Sequence, residues 1–377
     1  MNLPSFPAAR AVATRVQPHF SRHVPANADG TPDLSLQPDA ATIENIVDAA
    51  FWASLRRQEG YVPKISLAFL PVSRAGQSIS FERPLALAPE PLTRLSPAVE
   101  RPGIHLGVWR ENSELMVWGT TRALPEFCFV LEVVAPGLLV IKHSRGQESG
   151  KFINVAVLEG DQIKVIDHSA TGPGCPAPLS AMLAFESPSS PAQSFSLLTQ
   201  ISVSMRAHGR GGLLLVVPAN TEEWRASIVH PIQYAVSPPF CELTEMLKEE
   251  PGAKARRKWE DALRRAIDAL AGLTAIDGAT VITDQYELLA FGAKIGRRDD
   301  WPRIEQVIVT EPIEGATKEI MHPAQLGGTR HLSAAQFAQD QRDAIAVVAS
   351  QDGRFTLFSW SSCEEMVHAH RVESLLL

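Results

Sequence analysis

The chain has 377 residues, 45% of them hydrophobic and 20% charged, with a formal net charge of −7. That composition is globular, leaves room for two domains of ordinary size and excludes a disordered chain. The mild acidity argues against broad binding of DNA or RNA, which needs a basic face, while permitting a small anion site made from a few arginines.

Cys128, Cys175, Cys241 and Cys363 are scattered singly, without zinc or redox spacing. They read as reduced, buried thiols of a cytoplasmic protein. Met1–Phe20 lacks the unbroken apolar run of a signal peptide. The most apolar stretches, Phe127–Val134 and Gly212–Val217, fall far short of the ~20 residues that span a bilayer. The expectation is a cytoplasmic protein with no membrane and no nucleic-acid partner.

In chain order, residues 1–40 are rich in Pro, Ala, Asn and Asp and are expected to form a flexible N-terminal arm. Residues 41–170 are expected to be a strand-rich α+β domain. It opens on an amphipathic helix, Thr42–Gln58, whose Ile43, Ile46, Val47, Ala50 and Phe51 recur at helical spacing. Strands follow at Ile65–Leu70, Ile104–Val108, Glu114–Trp118, Cys128–Val134, Gly137–His143, Phe152–Leu158 and Gln162–Asp167, separated by turn residues. The Gly- and Pro-rich stretch from Asp167 to Ser190 marks a boundary. Residues 191–377 interleave helices near Phe195–Met205, Trp259–Ala271 and Ser333–Gln339 with strands at Leu213–Val217, Thr280–Thr283, Glu287–Gly292, Val307–Val309, Ala344–Ala349 and Phe355–Trp360. That alternation predicts an α/β layer with a mixed sheet.

Three segments of the second half form a constellation. Asp277-Gly278-Ala279 lies between a helix and a buried strand; alone, it is usually a turn, with a cation or a ribose hydroxyl as the functional alternative. Gly327-Gly328-Thr329-Arg330-His331 precedes a helix. There a glycine pair permits close backbone approach, free N–H groups face outward, and Arg330 with Thr329 or Ser333 supplies phosphate donors. The rival reading is an ordinary helix cap whose arginine pairs with a surface carboxylate. Ser350-Gln351-Asp352-Gly353 fills a turn between two strands.

These motifs, in this order, resemble those of the diadenylate cyclase domain superfamily: Asp277-Gly-Ala with its apolar strand, then Gly328-Thr-Arg-His, then the aspartate-led strand Asp343–Ser350. The resemblance spans about residues 195–361 and is greatest to the superfamily's sensor branch, the DACNV type. It implies a mixed-sheet, diadenylate-cyclase-like nucleotide-binding domain over 191–377 and a homodimer. It also implies Asp277 as a carboxylate for Mg2+ or Mn2+ or for ribose, catalytic only if the domain is active. Gly278, Ala279, Gly328, Thr329, Arg330, His331, Ser333 and Gln351 would line the nucleotide. Leu332 stands where active members carry a second arginine, and Gln351 where they carry a glutamate. Both changes remove charged groups that handle a metal–triphosphate.

The function expected is therefore nucleotide sensing: binding of a purine nucleotide or cyclic dinucleotide without turnover. The alternatives are a divergent active diadenylate cyclase making cyclic di-AMP from two ATP, with Asp352 standing in for the lost glutamate, and a structural or interaction protein that binds nothing. Arg206, His208 and Arg210, just before a buried strand, read equally as phosphate contacts or as a solvated loop. Lys254–Lys258 reads as a solvated helix start, and His230, His368 and His370 as packing or surface residues.

Overall fold

The computed structural model describes residues 5–23, 36–145, 152–168, 192–248, 255–299 and 301–377. The chain divides into two compact units, Met1–Ile166 and Asp167–Leu376. Most of the expected boundary stretch, Cys175, and most of the loop Lys142–Lys151 lie outside the described residues.

The first unit contains helices α1 (Pro7–Arg22), α2 (Ala40–Ser54) and α3 (Pro89–Val99). Its strands are β1 (Ile65–Phe69), β2 (Ile79–Ala86), β3 (His105–Glu111), β4 (Glu114–Thr121), β5 (Glu126–Ala135), β6 (Leu138–Arg145), β7 (Phe152–Glu159) and β8 (Gln162–Val165). They form one sheet in the order β2-β4-β3-β1-β5-β6-β7-β8, mixed because β1 runs parallel to β3 while the other neighbours are antiparallel. Ile65, Leu67 and Phe69 face the helices, and Ala68 and Leu70 belong to a smaller cluster with Trp118 and Cys128. This is the period-2 alternation of a sheet buried on both faces.

The expected arm over 1–40 is corrected: residues 7–22 are helix α1. Ala9, Val12, Ala13, Val16 and Phe20 form a fully buried stripe at helical spacing. Pro7 occupies the first turn, where a missing N–H costs nothing. The stripe is built largely from alanine and interrupted by Pro18, so its apolar signal is weak although its period is correct. α2 starts at Ala40 rather than Thr42, because the Asp39 side chain accepts the N–H of Thr42 at 2.8 Å and ion-pairs with Arg110 at 2.9 Å. β2 and α3 went unpredicted because Pro84, Pro89, Pro91 and Pro97 mask their periods. The structure tolerates Pro84 on an edge strand and Pro89 in a first turn.

The second unit has helices α4 (Ala192–Ala207), α5 (Glu242–Lys248), α6 (Arg256–Leu273) and α7 (Thr329–Asp340). Its strands are β9 (Gly212–Val217), β10 (Tyr234–Phe240), β11 (Ala279–Thr283), β12 (Leu288–Ala293), β13 (Val307–Thr310), β14 (Glu319–Met321), β15 (Ile345–Ala349), β16 (Phe355–Ser361) and β17 (Met366–Arg371). The sheet order is β10-β12-β11-β9-β15-β16-β17-β13-β14. β9 and β11 are parallel, each following a helix, and β15 is antiparallel to β9. Every residue of β9 is buried, so it is covered on both faces. α7 packs on β9, β15, β16 and β17, while α4 packs on α6 and β15. The fold is thus α/β with two mixed sheets. No helix among the described residues is long and apolar enough to cross a membrane, which says nothing of strands. The thiols correct the sequence expectation in part: Cys128 is buried, Cys241 half-buried and Cys363 exposed.

Two predictions follow from the packing. Phe20 is buried in the first core, its ring centroid 5.1 Å from that of Phe129. Phe20→Ala costs about 3–5 kcal/mol, so a urea titration of the full chain should show the first unit unfolding earlier; an unchanged curve would restore the arm. His105 and His370 are pushed down to about 4 and about 3, first by burial in each case. Below the unfolded value of 6.5 the unfolded chain binds the more protons, so stability is lost as pH falls from 6.5 towards 4. Melting temperatures measured across that window should decline, and a flat profile would contradict neutral buried imidazoles.

Candidate functional site at one end of the second sheet

The strand register assembles the site. Thr280 lies opposite Leu214 in the parallel pair, so the approaches to β9 and β11, Arg210–Gly211 and Asp277–Gly278, reach the same sheet end. Ala349 lies opposite Gly212, which brings the Ser350–Gly353 turn there too. Ala279 lies opposite Ala293, so Lys294 follows at that end beside Asp277. The three segments distant in sequence therefore converge.

Glycines permit the convergence. Gly211 has φ +71°, and a Cβ on it would lie 2.8 Å from Arg330 Nη1, 3.2 Å from the Ala349 carbonyl and 3.3 Å from Gln351 Cγ. Gly278 has φ +115°, and a Cβ there would lie 2.5 Å from the carbonyl carbon of Gly292. Gly292, at φ +61°, leaves space for the ring of Tyr234, which stacks on Phe291 with centroids 4.9 Å apart. A half-exposed aromatic pair thus flanks the Asp277 turn, a feature the sequence reading missed.

Gly328 is the N-cap of α7 and provides no side-chain cap; the His331 N–H bonds back to the Gly328 carbonyl at 3.1 Å, while those of Thr329 and Arg330 stay open at the positive end of the helix. Thr329 is exposed at the first helical position. Arg330 is partly buried, and its guanidinium has no hydrogen-bond or ion-pair partner among the described residues. Its charge is felt by the exposed Asp277 carboxylate, at longer range than an ion pair. Gln351 donates from Nε2 to the Arg210 carbonyl at 3.4 Å.

Not every expected residue faces outward. His331 is buried against Gly327, where a Cβ would lie 2.3 Å from its Nδ1, and its ring meets Phe358 edge-on at 6.1 Å. Its pKa is lowered, burial being the first cause. The expectation of His331 as a phosphate contact is corrected to a packing role. Ala279 is a buried strand residue, and Ser333 is half-buried one turn into α7. Of the upstream loop, Arg206 donates to the Leu376 carbonyl at 3.2 Å and His208 Nε2 lies 3.3 Å from Thr274 Oγ1, whereas Arg210 is exposed.

Asp277 is exposed and pairs with Lys294 Nζ at 2.5 Å. The Lys294 hydrogen bond, then its charge, lower the Asp277 pKa, and the charge of Arg330 adds to this. Asp352 pairs with Arg354 at 3.4 Å and is not free to replace a lost glutamate. Among the described residues no group of three or more His, Cys, Asp or Glu side chains could hold a metal ion. The Asp277 carboxylate is engaged by the Lys294 ammonium, with which a cation would have to compete.

Two clefts lie elsewhere. One, of about 350 Å³ in the first unit, is lined by Arg56, Arg57, Glu90 and Arg94. The other, of about 440 Å³, includes Trp301, Arg342, Trp360 and Met366 and sits at the far end of the second sheet from Asp277. There Arg342 stacks on Trp360 at 4.0 Å and on Trp301 at 5.2 Å.

Residues 32–122 match the family model described as "Probable sensor domain DACNV". This match lies in the first unit, whereas the motifs that suggested the same branch lie in the second. The match is confined to that stretch and leaves the second unit unmatched. No curated protein matches the chain. Among solved structures, a hypothetical membrane spanning protein from Bacillus cereus is 14% identical, over 47% of this chain and 63% of its own, with a TM-score of 0.27. A double-cysteine variant of DacA from Staphylococcus aureus is 12% identical, over 47% of this chain and 85% of its own, with a TM-score of 0.25.

Gly278→Ala places a Cβ against the Gly292 backbone at a φ that L-residues rarely adopt, and costs roughly 1–3 kcal/mol. Thermal unfolding should show it. Wild-type stability in this variant would mean that the Asp277 turn is not pinned by that contact.

Proposed function

We propose that the second unit binds a purine nucleotide or cyclic dinucleotide without turning it over, and that the first unit, which carries the DACNV match, relays the binding event. The observation that carries this reading is the unpartnered guanidinium of Arg330 at an uncapped helix start, facing Gly211 and the Asp277 turn. An arginine left unpaired beside open N–H groups is arranged for an oxyanion with several acceptors. The exposed ring of Tyr234, backed by Phe291, offers a stacking surface for a base next to that phosphate position.

Charge favours binding over turnover. Arg330, Lys294 and Arg210 stand against the carboxylate of Asp277, with Asp352 offset by Arg354, a surplus suited to a phosphodiester rather than to a metal-free triphosphate. Leu332, 37% exposed, adds no cation, and Gln351 adds no carboxylate. A cytoplasmic setting belongs to this reading, supported by the single, unpaired spacing of the cysteines in the sequence. A homodimer belongs to this reading by resemblance alone.

The test is a thermal-shift and calorimetry series with ATP, GTP and cyclic di-AMP on the full chain, with product analysis of each mixture. Saturable binding should raise the melting point, by about 2.7 kcal/mol of stabilisation at a hundredfold excess over Kd. Arg330→Ala should weaken binding by roughly tenfold or more, as expected for a lost charge-assisted contact. Conversion of ATP would make the protein an enzyme; no shift with any nucleotide would leave a structural role.

A further inference from the structure

We propose that Lys294 supplies within the chain the positive charge that a divalent cation brings to other phosphate sites, so that the nucleotide is held without Mg2+ or Mn2+. This inference rests on the nucleotide-binding reading above and specifies how that site handles charge.

The backbone position of Lys294 is set by strand register. Ala279 pairs with Ala293 in the β11–β12 ladder, which puts the residue that follows β12 beside the Asp277-Gly278 turn. The Lys294 carbonyl accepts the N–H of Val229 at 2.8 Å, which fixes the strand end. Gly278 and Gly292 bring the two backbones close enough for the side chains to meet. The ammonium then reaches Asp277 Oδ2 at 2.5 Å, with both side chains still more than half exposed.

An ammonium has three N–H donors, and Asp277 takes one. Two remain for a ligand at the same sheet end as Arg330. In that arrangement Lys294 bridges a carboxylate and a phosphate oxygen, the linkage a bound divalent ion would make. A metal would have to displace the ammonium from Asp277 and find further oxygen ligands. Gln351 offers only an amide, whose nitrogen is committed to the Arg210 carbonyl, and Asp352 is paired with Arg354. The carboxylate is occupied, so a divalent ion would have to compete with the ammonium and draw its other ligands from water and phosphate.

The experiment is calorimetric titration of the full chain with cyclic di-AMP and with ATP, each in EDTA and in excess Mg2+, alongside a titration with Mn2+ alone. The wild type should bind cyclic di-AMP with the same Kd, within about twofold, in EDTA and in Mg2+, and should show no saturable Mn2+ site. Lys294→Met should weaken binding in EDTA by roughly tenfold or more, and Lys294→Arg should retain it. Both side chains of the pair are exposed, so these variants should melt like the wild type. Binding that requires Mg2+, or a saturable Mn2+ site abolished by Asp277→Asn, would overturn the inference and leave the nucleotide reading standing. Equal binding by Lys294→Met in EDTA would also overturn it. Absence of binding by either nucleotide in either buffer would remove the nucleotide reading, and this inference with it.

Discussion

Pairing register at one end of the second sheet controls everything that can happen there. β9 and β11 run parallel with Thr280 opposite Leu214, and β15 runs back with Ala349 opposite Gly212. Strand side chains alternate faces, so a slip of one residue would invert the buried set of β9, β11 and β15 together. The buried residues on these strands make that slip costly. The same constraint that protects the core therefore holds Gly211, Asp277, Lys294 and Gln351 within reach of one another. The site residues hardly stabilise the fold; they are carried by it.

Close approach is the second requirement, and glycine meets it twice. Gly211 leaves the space that Arg330 Nη1 occupies, and Gly278 lies against the Gly292 backbone. Each glycine has a positive φ, so conformation and contact both demand it. Helix α6 ends at Thr274, whose Oγ1 lies where a Cβ on Gly212 would come within 2.7 Å. The helix end, the strand start and the Asp277 turn are thus stacked with little slack, and no side chain larger than hydrogen fits between them.

Legibility in the sequence followed the strength of local periodicity. β9, β11, β15 and β16 are short, strongly apolar runs and could be placed from their residues alone. The Gly328–Arg330 helix start was also visible, because a glycine pair before a helix is a local signal. α1 was not visible, since alanine supplies burial without much hydropathy and Pro18 breaks the run. β10 was lost for a related reason: Pro238 and Pro239 disqualify a central strand, yet β10 lies at the sheet edge, where missing donors cost nothing. Lys294 and Tyr234 could not be found at all. Their importance comes from cross-strand register, Ala279 with Ala293 and Tyr234 with Phe291, and register is not written in either strand separately. His331 misled in the opposite direction: its place in the motif suggested an outward ring, while its position on the third residue of α7 turns it inward over Gly327 and Phe358.

The electrostatics of this sheet end make sense when its charges are considered together. An exposed Asp277–Lys294 pair contributes little to stability, because water screens it and two long side chains lose freedom. Its persistence is therefore not explained by folding. What the pair does is hold an ammonium in a fixed place, with donors to spare, next to an unpaired guanidinium. Two cations so close would repel, and the carboxylate between them relieves that repulsion: Asp277 is held below the usual carboxylate range by Lys294 first and by Arg330 in addition. Leucine at 332 and glutamine at 351 fit the same balance, since each leaves out one charge of opposite sign. A site that kept the glutamate would present a smaller positive surplus to its phosphate ligand. A site that kept the second arginine would crowd a third cation onto the same helix turn. Removing both leaves a small positive surplus that needs no ion from solution to receive an anion.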